Sequence, residues 1–168
     1  MSITSFLLLW PGLGGVAWGG APVGEPGVVA RAAVLADART GQVLWAKNPD
    51  SRLYPASTTK ILTALVVAMR ADLTERVCVA PEDTTAGGSA IWLQPGEVLS
   101  VEELLYALLL NSANDAAAAL ARHVAGSTAA FARLLNDTAL AVGATNTHFT
   151  NPSGMPDPNH YTTARDLA

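Results

Sequence analysis

The 168-residue sequence predicts a mixed α/β domain, an antiparallel strand pair followed by a helical part. Three observations predict it. Val28 to Ala38 and Gln42 to Trp45 are apolar, strand-like runs joined at Arg39-Thr40-Gly41, which makes an antiparallel hairpin the simplest arrangement. Downstream the apolar residues switch to helical spacing, first at Ile61, Leu62, Leu65, Val66 and Met69, then at Leu104, Leu105, Leu108 and Leu109. Half of all residues are apolar and 14% are charged, a composition that builds a core and excludes a disordered chain. The length suits one domain rather than two.

In chain order, residues 1–25 read as a leader. Phe6 to Trp10 form an apolar block, followed by Pro11 and small residues up to Ala21, as in the apolar region and cleavage zone of an export signal. No Lys or Arg precedes the block; the first basic residue is Arg31. Pro11 and the glycines interrupt the segment well short of the roughly 20 apolar residues a membrane span needs. Gly24 to Gly27 reads as a linker, and Asn48-Pro49-Asp50 closes the hairpin with turn chemistry. A helix is expected from about Ser57 to Ala71. A short strand at Val77, Cys78 and Val79 follows, with Cys78 as a small core residue. As the lone cysteine it excludes an internal disulfide.

Gly87-Gly88-Ser89 and Gln94-Pro95-Gly96 mark turns, and Ser100 with Glu103 forms a capping box for a second helix. Asn111 to Asp115 interrupts the apolar run with polar residues. Ala116 to Ala125 resumes as a helix that Gly126 suits as a cap, and Ser127 caps another that ends at Gly143. Thr163 and Asp166 repeat the capping pattern, yet only two residues follow Asp166. A helix cut within one turn cannot stabilise itself, so a domain over 28–168 reads as truncated.

Net charge is -4 with no basic stripe, which argues against a nucleic-acid partner. Glu82, Asp83, Glu102 and Glu103 read as solvated or capping carboxylates, and His123, His148 and His160 as structural. Ser57 and Lys60 stand three apart at the head of the first long helix, so they share a face. A lysine whose pKa is lowered by burial can take the proton of a serine hydroxyl, and a helix N-terminus favours a developing oxyanion. Such a pair also arises by chance about once in a couple of hundred residues. On spacing alone, Ser57 as a cap and Lys60 as a solvated side chain remain open. Ser112 and Asn114 interrupt the next apolar stretch, where a hydroxyl and an amide on a loop can face one cleft. A simple helix junction capped by Asn114 or Asp115 is the alternative.

Together, Ser57-Thr58-Thr59-Lys60 and Ser112-Ala113-Asn114 resemble the first two motifs of the penicillin-recognising serine enzymes. Tyr54-Pro55-Ala56, Val101 to Leu105, Asn111 to Ala117, Asn146 to Phe149 and Asn159 to Ala168 look like the low-molecular-weight D-alanyl-D-alanine carboxypeptidases. The resemblance implies a β-lactamase/transpeptidase-like fold, an antiparallel sheet with a helical subdomain. It also implies Ser57 as acyl-ester nucleophile, Lys60 as general base, Ser112 as proton shuttle and Asn114 as the residue that binds the substrate's peptide amide. The implied substrates are peptidoglycan stem peptides ending in D-Ala-D-Ala. β-Lactams are the implied covalent inhibitors, with no metal or cofactor, and the location is extracytoplasmic or periplasmic.

The family's third motif, Lys-Thr-Gly or Lys-Ser-Gly, is absent, since Lys47 and Lys60 are the only lysines. Its strand supplies an oxyanion donor, and one such donor is worth a factor of about 100 to 1,000 in rate. The resemblance therefore implies missing C-terminal strands and poor turnover by these 168 residues alone. Membrane anchoring lies outside the reach of the sequence. A D,D-endopeptidase of the same family and a non-catalytic peptidoglycan- or partner-binding remnant are the competing readings. A β-lactamase fits less well, because no Glu-bearing deacylation motif is present.

Overall fold

The computed structural model describes residues 26–168; the expected leader over 1–25 lies outside them, as does the first half of the linker. Strands β1 (Ala33–Ala36) and β2 (Val43–Lys47) form the predicted antiparallel hairpin. β1 is shorter than the apolar run, and its register slips between Leu35 and Ala36. There the chain turns on Asp37, whose carboxylate accepts from the N–H groups of Arg39 and Thr40 and from the Thr40 hydroxyl. Gly41 completes the turn at φ +71°.

Helix α1 (Thr59–Arg70) follows a single 3-10 turn at Ala56–Thr58. Its buried side differs from the predicted stripe. Thr59, Lys60, Thr63, Val66 and Val67 face inward, while Ile61 and Met69 are about two-thirds exposed, at 66% and 67%. Of the predicted stripe Val66 is buried and Leu62 partly so; apolar periodicity misplaced the rest of the face because three of the buried positions are polar. Each of those three meets a buried partner, which offsets the burial penalty for the two threonine hydroxyls but only partly for the lysine, which has no counter-charge among the described residues.

Strands β3 (Arg76–Cys78) and β4 (Val98–Ser100) pair antiparallel as a second small sheet. Strand alternation buries Val77 and Val79 and leaves Cys78 exposed, which corrects its expected place in the core. β4 runs directly into α2 (Val101–Leu110), where Ser100 and Glu103 exchange the bonds of the predicted capping box. Of its expected stripe, Leu104 and Leu108 are buried, Leu105 is half-buried and Leu109 is exposed; Val101 and Ala107 complete the inward face.

Helix α3 (Asn114–Ala125) starts two residues before the expected Ala116, so Asn114 belongs to a helix rather than a loop. Its first turn is held from outside: the Asp115 carboxylate accepts from the backbone N–H groups of Ile91 and Leu93. Residues Ala116, Ala117, Ala119, Leu120 and Ala121 are fully buried, and α1, α2 and α4 (Thr128–Ala141) all pack on this helix. An alanine surface lets three neighbours approach closely, which makes α3 the axis of the core. Gly126 caps it at φ +79°, and the Ser127 hydroxyl accepts from Ala130 N–H to start α4.

The last helix, α5 (Ala164–Leu167), is short but not unsupported. Thr163 caps it, Asp166 accepts from the Asn146 N–H and the Thr147 hydroxyl, and Arg165 pairs with Asp50 at 2.6 Å. Tertiary bonds supply what a single helical turn lacks. Asp83 caps, as one of the two expected roles has it, but is not solvated. It is buried, pairs with Arg122 at 2.7 Å and takes the Ala80 N–H, tying the loop after β3 to α3.

Candidate active site

Ser57 sits in the 3-10 turn that leads into α1, and Lys60 is one turn later on the same helix face. The Lys60 ammonium lies 3.3 Å from Ser57 Oγ. Across the cleft, the Ser112 hydroxyl reaches Ser57 Oγ at 2.9 Å from the junction between α2 and α3. Residues 55 positions apart are thus brought onto one oxygen. Serine hydroxyls donate and accept with equal ease, so a proton can move along this line in either direction.

Two backbone conformations aim these groups. Ala56 has φ +51° and Ser112 φ +54°, both in the left-handed region that costs a non-glycine residue about 1 kcal/mol or more. Neither alanine nor serine announces such a conformation, so the sequence carries no signal for it. Opposite Ala56, Gly154 at φ +86° packs so closely that a Cβ there would fall 1.8 Å from the Ala56 carbonyl oxygen. Only glycine fits that approach.

Lys60 is buried and its ammonium donates to the Ser153 carbonyl at 2.8 Å. Burial disfavours the charged form, and the lysine pKa is accordingly lowered from its ordinary value. The ion pairs among the described residues do not include it. Next to it, Thr59 Oγ1 bonds His160 Nε2 at 2.9 Å, and His160 Nδ1 accepts from the Thr150 N–H at 3.1 Å. An Nδ1 that accepts leaves the proton on Nε2, so His160 is a neutral donor to Thr59. Its pKa is lowered too, chiefly by burial. His123 pairs with Glu75, and His148 bonds the Asn159 carbonyl beside the Tyr161 ring; neither reaches the cleft.

Asn114 opens α3, two residues after Ser112. Its Nδ2 donates to the Gly87 carbonyl at 2.6 Å and lies 3.5 Å from Met155 Sδ. Its Oδ1 is buried without a partner among the described residues. The mouth of the cleft is lined by Thr58, Ile61, Leu108 and Leu109 beside Ser57, Lys60 and Ser112. The exposed Leu109 is therefore a wall of the cleft rather than part of the core.

Of the four residues singled out in the sequence, Ser57, Lys60 and Ser112 are joined through Ser57 Oγ, while Asn114 bonds Gly87 instead. The sequence reading missed Gly154, Asn151 and the carbonyl groups of Pro152 and Ser153. Backbone acceptors leave no trace in residue identity, although Asn, Pro, Ser and Gly are all turn-forming residue types and could have drawn attention to the segment.

Comparison with known proteins gives this arrangement a context. Residues 21–168 match the protein family described as D-alanyl-D-alanine carboxypeptidase. The D-alanyl-D-alanine carboxypeptidase DacC of Escherichia coli is 41% identical over 157 residues, covering 87% of this chain and 39% of that protein. DacF of Bacillus subtilis is 39% identical over 144 residues, 83% of this chain and 37% of its own length. The crystal structure of DacD from Francisella tularensis superposes with a TM-score of 0.80 at 40% identity, over 84% of this chain and 35% of that one. The chain therefore spans well under half the length of these relatives.

Proposed function

The chain belongs to the D-alanyl-D-alanine carboxypeptidase family, and from that membership we propose that it carries the nucleophile side of a serine peptidase that removes the terminal D-alanine from peptidoglycan stem peptides. The observation that carries the proposal is the convergence on Ser57 Oγ of Lys60 Nζ at 3.3 Å and Ser112 Oγ at 2.9 Å.

In this reading Ser57 Oγ adds to the carbonyl carbon of the penultimate D-alanine while the neutral Lys60 amine takes its proton. Ser57 stands at the N-terminal end of α1, where the helix dipole favours the developing oxyanion. The carbon–nitrogen bond to the terminal D-alanine then breaks, and Ser112 passes the proton to the leaving amine. Water hydrolyses the resulting serine ester, which releases the shortened peptide and restores Ser57. Asn114, two residues after Ser112, is the residue this reading assigns to the substrate's peptide amide; its Oδ1 has no partner among the described residues. A β-lactam presents a strained amide to the same hydroxyl and forms the same kind of ester. Peptidoglycan lies outside the cytoplasmic membrane, so the reading includes export, with residues 1–25 as leader and 28–168 as part of the peptidase domain.

The test is covalent labelling. A fluorescent penicillin should label the full-length protein, and Ser57→Ala should remove the label while leaving the fold intact by circular dichroism. Labelling that persists in Ser57→Ala would show that another residue is acylated.

A further inference from the structure

The segment Pro152-Ser153-Gly154 crosses α1 as irregular backbone, and two of its carbonyls take polar groups from the buried face of that helix. Ser153 O accepts from Lys60 Nζ at 2.8 Å, and Pro152 O accepts from Thr63 Oγ1 at 2.7 Å. Lys60 and Thr63 are three residues apart and share a face. The crossing segment belongs to no helix or strand, so nothing regular fixes where its carbonyls point.

Asn151 supplies that order. Its Oδ1 accepts from the backbone N–H groups of Ser153, Gly154 and Met155 at 3.2, 2.8 and 3.0 Å, and from the Ser153 hydroxyl at 3.2 Å. Its Nδ2 donates to the Met155 carbonyl at 2.9 Å. One carboxamide closes the whole turn, as Asn side chains do when they stand in for a backbone group.

We propose that Asn151 is a positioning residue for the reaction: through the Ser153 carbonyl it fixes the Lys60 amine beside Ser57, with Thr63 as the second anchor of the same segment. The inference rests on the reading of Ser57 as nucleophile and Lys60 as base. The relative distances carry it. Nζ is held at 2.8 Å by the Ser153 carbonyl and stands at 3.3 Å from Ser57, so the carbonyl, not the nucleophile, sets where the amine sits. The lysine stem has four flexible bonds and, among the described residues, no carboxylate partner to hold it elsewhere. A carbonyl displacement of about 1 Å takes Nζ out of hydrogen-bond reach of Ser57, a misplacement of the kind that costs about 100-fold in rate.

The experiment measures penicillin acylation of the full-length protein, separating the first-order acylation constant at saturation from the dissociation constant of the non-covalent complex. Asn151→Ala should slow acylation by about 10- to 100-fold with little change in the dissociation constant, at a temperature where the protein is folded. Thr63→Val, of nearly the same shape but without the hydroxyl, should slow it in the same way. Thr63→Ser, which keeps the hydroxyl, should restore a rate close to the parent's. A merely structural role would lower the melting temperature and leave the acylation constant of the folded protein unchanged. Should Asn151→Ala fail to fold, the Thr63 pair decides. Parental rates in folded Asn151→Ala, or in Thr63→Val in that case, overturn the inference while Ser57→Ala still abolishes labelling. Labelling that survives Ser57→Ala overturns the nucleophile reading and this one with it.

Discussion

Lys60 combines three properties seldom found together in a lysine: it is only 3% exposed, it has no carboxylate partner among the described residues, and it touches a serine hydroxyl. An ammonium taken out of water without a counter-charge loses hydration that one carbonyl and one hydroxyl only partly replace. Its lowered pKa follows from that imbalance. Acylation of Ser57 should therefore rise with pH along a limb set below the ordinary lysine value of about 10.4. Lys60→Arg keeps the positive charge but cannot release a proton near neutral pH. It should lower the acylation rate by about 100- to 10,000-fold and remove that limb from the pH–rate profile. A limb that survives in Lys60→Arg would assign the base to another group.

At the scale of elements, most of the order of strands and helices was legible because local chemistry wrote it; β4, in a stretch read as turns, was not. Thr40-Gly41 made the hairpin, Ser100 with Glu103 opened α2, and Gly126 followed by Ser127 separated α3 from α4. The four candidate residues were legible through their motifs. What the sequence did not reveal is orientation. The inward face of α1 is fixed by Thr59, Lys60 and Thr63 bonding to His160, Ser153 and Pro152, and those partners lie 89 to 101 residues away. No local periodicity can register a partner at that distance. The same limit hid the contact of Gly154 with Ala56. Gly154→Ala tests how rigid that contact is. The new Cβ would fall 1.8 Å from a carbonyl oxygen and sit at φ +86°, so either the loop or the turn carrying Ser57 has to move. Overpacking and left-handed strain together should cost about 2 to 4 kcal/mol, read as a lower urea midpoint. Penicillin labelling should fall in the molecules that remain folded. Unchanged stability and labelling would show that the two segments yield to each other without cost.

Across the whole molecule, the candidate site is a meeting point of chain segments distant in sequence. Leu53 bridges to Thr162, Arg165 pairs with Asp50, and His160 links Thr59 to the Thr150 backbone. His160 is the member of this set that pH can break near neutrality. It is 1% exposed, and burial is the main cause of its lowered pKa, with nearby Asp157 opposing and His148 adding to the shift. The folded state thus binds the proton less readily than the unfolded chain, whose imidazole titrates near 6.5. Between the folded pKa and about 6.5 the unfolded state holds more protons, so stability must rise with pH across that window. In the other direction, stability is lost as pH falls from about 6.5 towards the folded value, and the loss levels off below it. Protonation at Nδ1 also turns an acceptor of the Thr150 N–H into a competing donor. The carboxylates with lowered pKa values, Asp37, Asp50, Asp72, Glu75 and Glu103, lose their contribution only at more acidic pH, below about 4.5. Urea midpoints measured from pH 8 down to pH 5, at intervals of about half a unit, should therefore show a decline that begins near 6.5. His160→Gln should start from a lower midpoint, because Gln fills the site less well, but its profile should be flatter than the parent's over the same range. A slope that is identical in the two proteins would assign the transition to a different histidine and leave His160 as a packing residue alone.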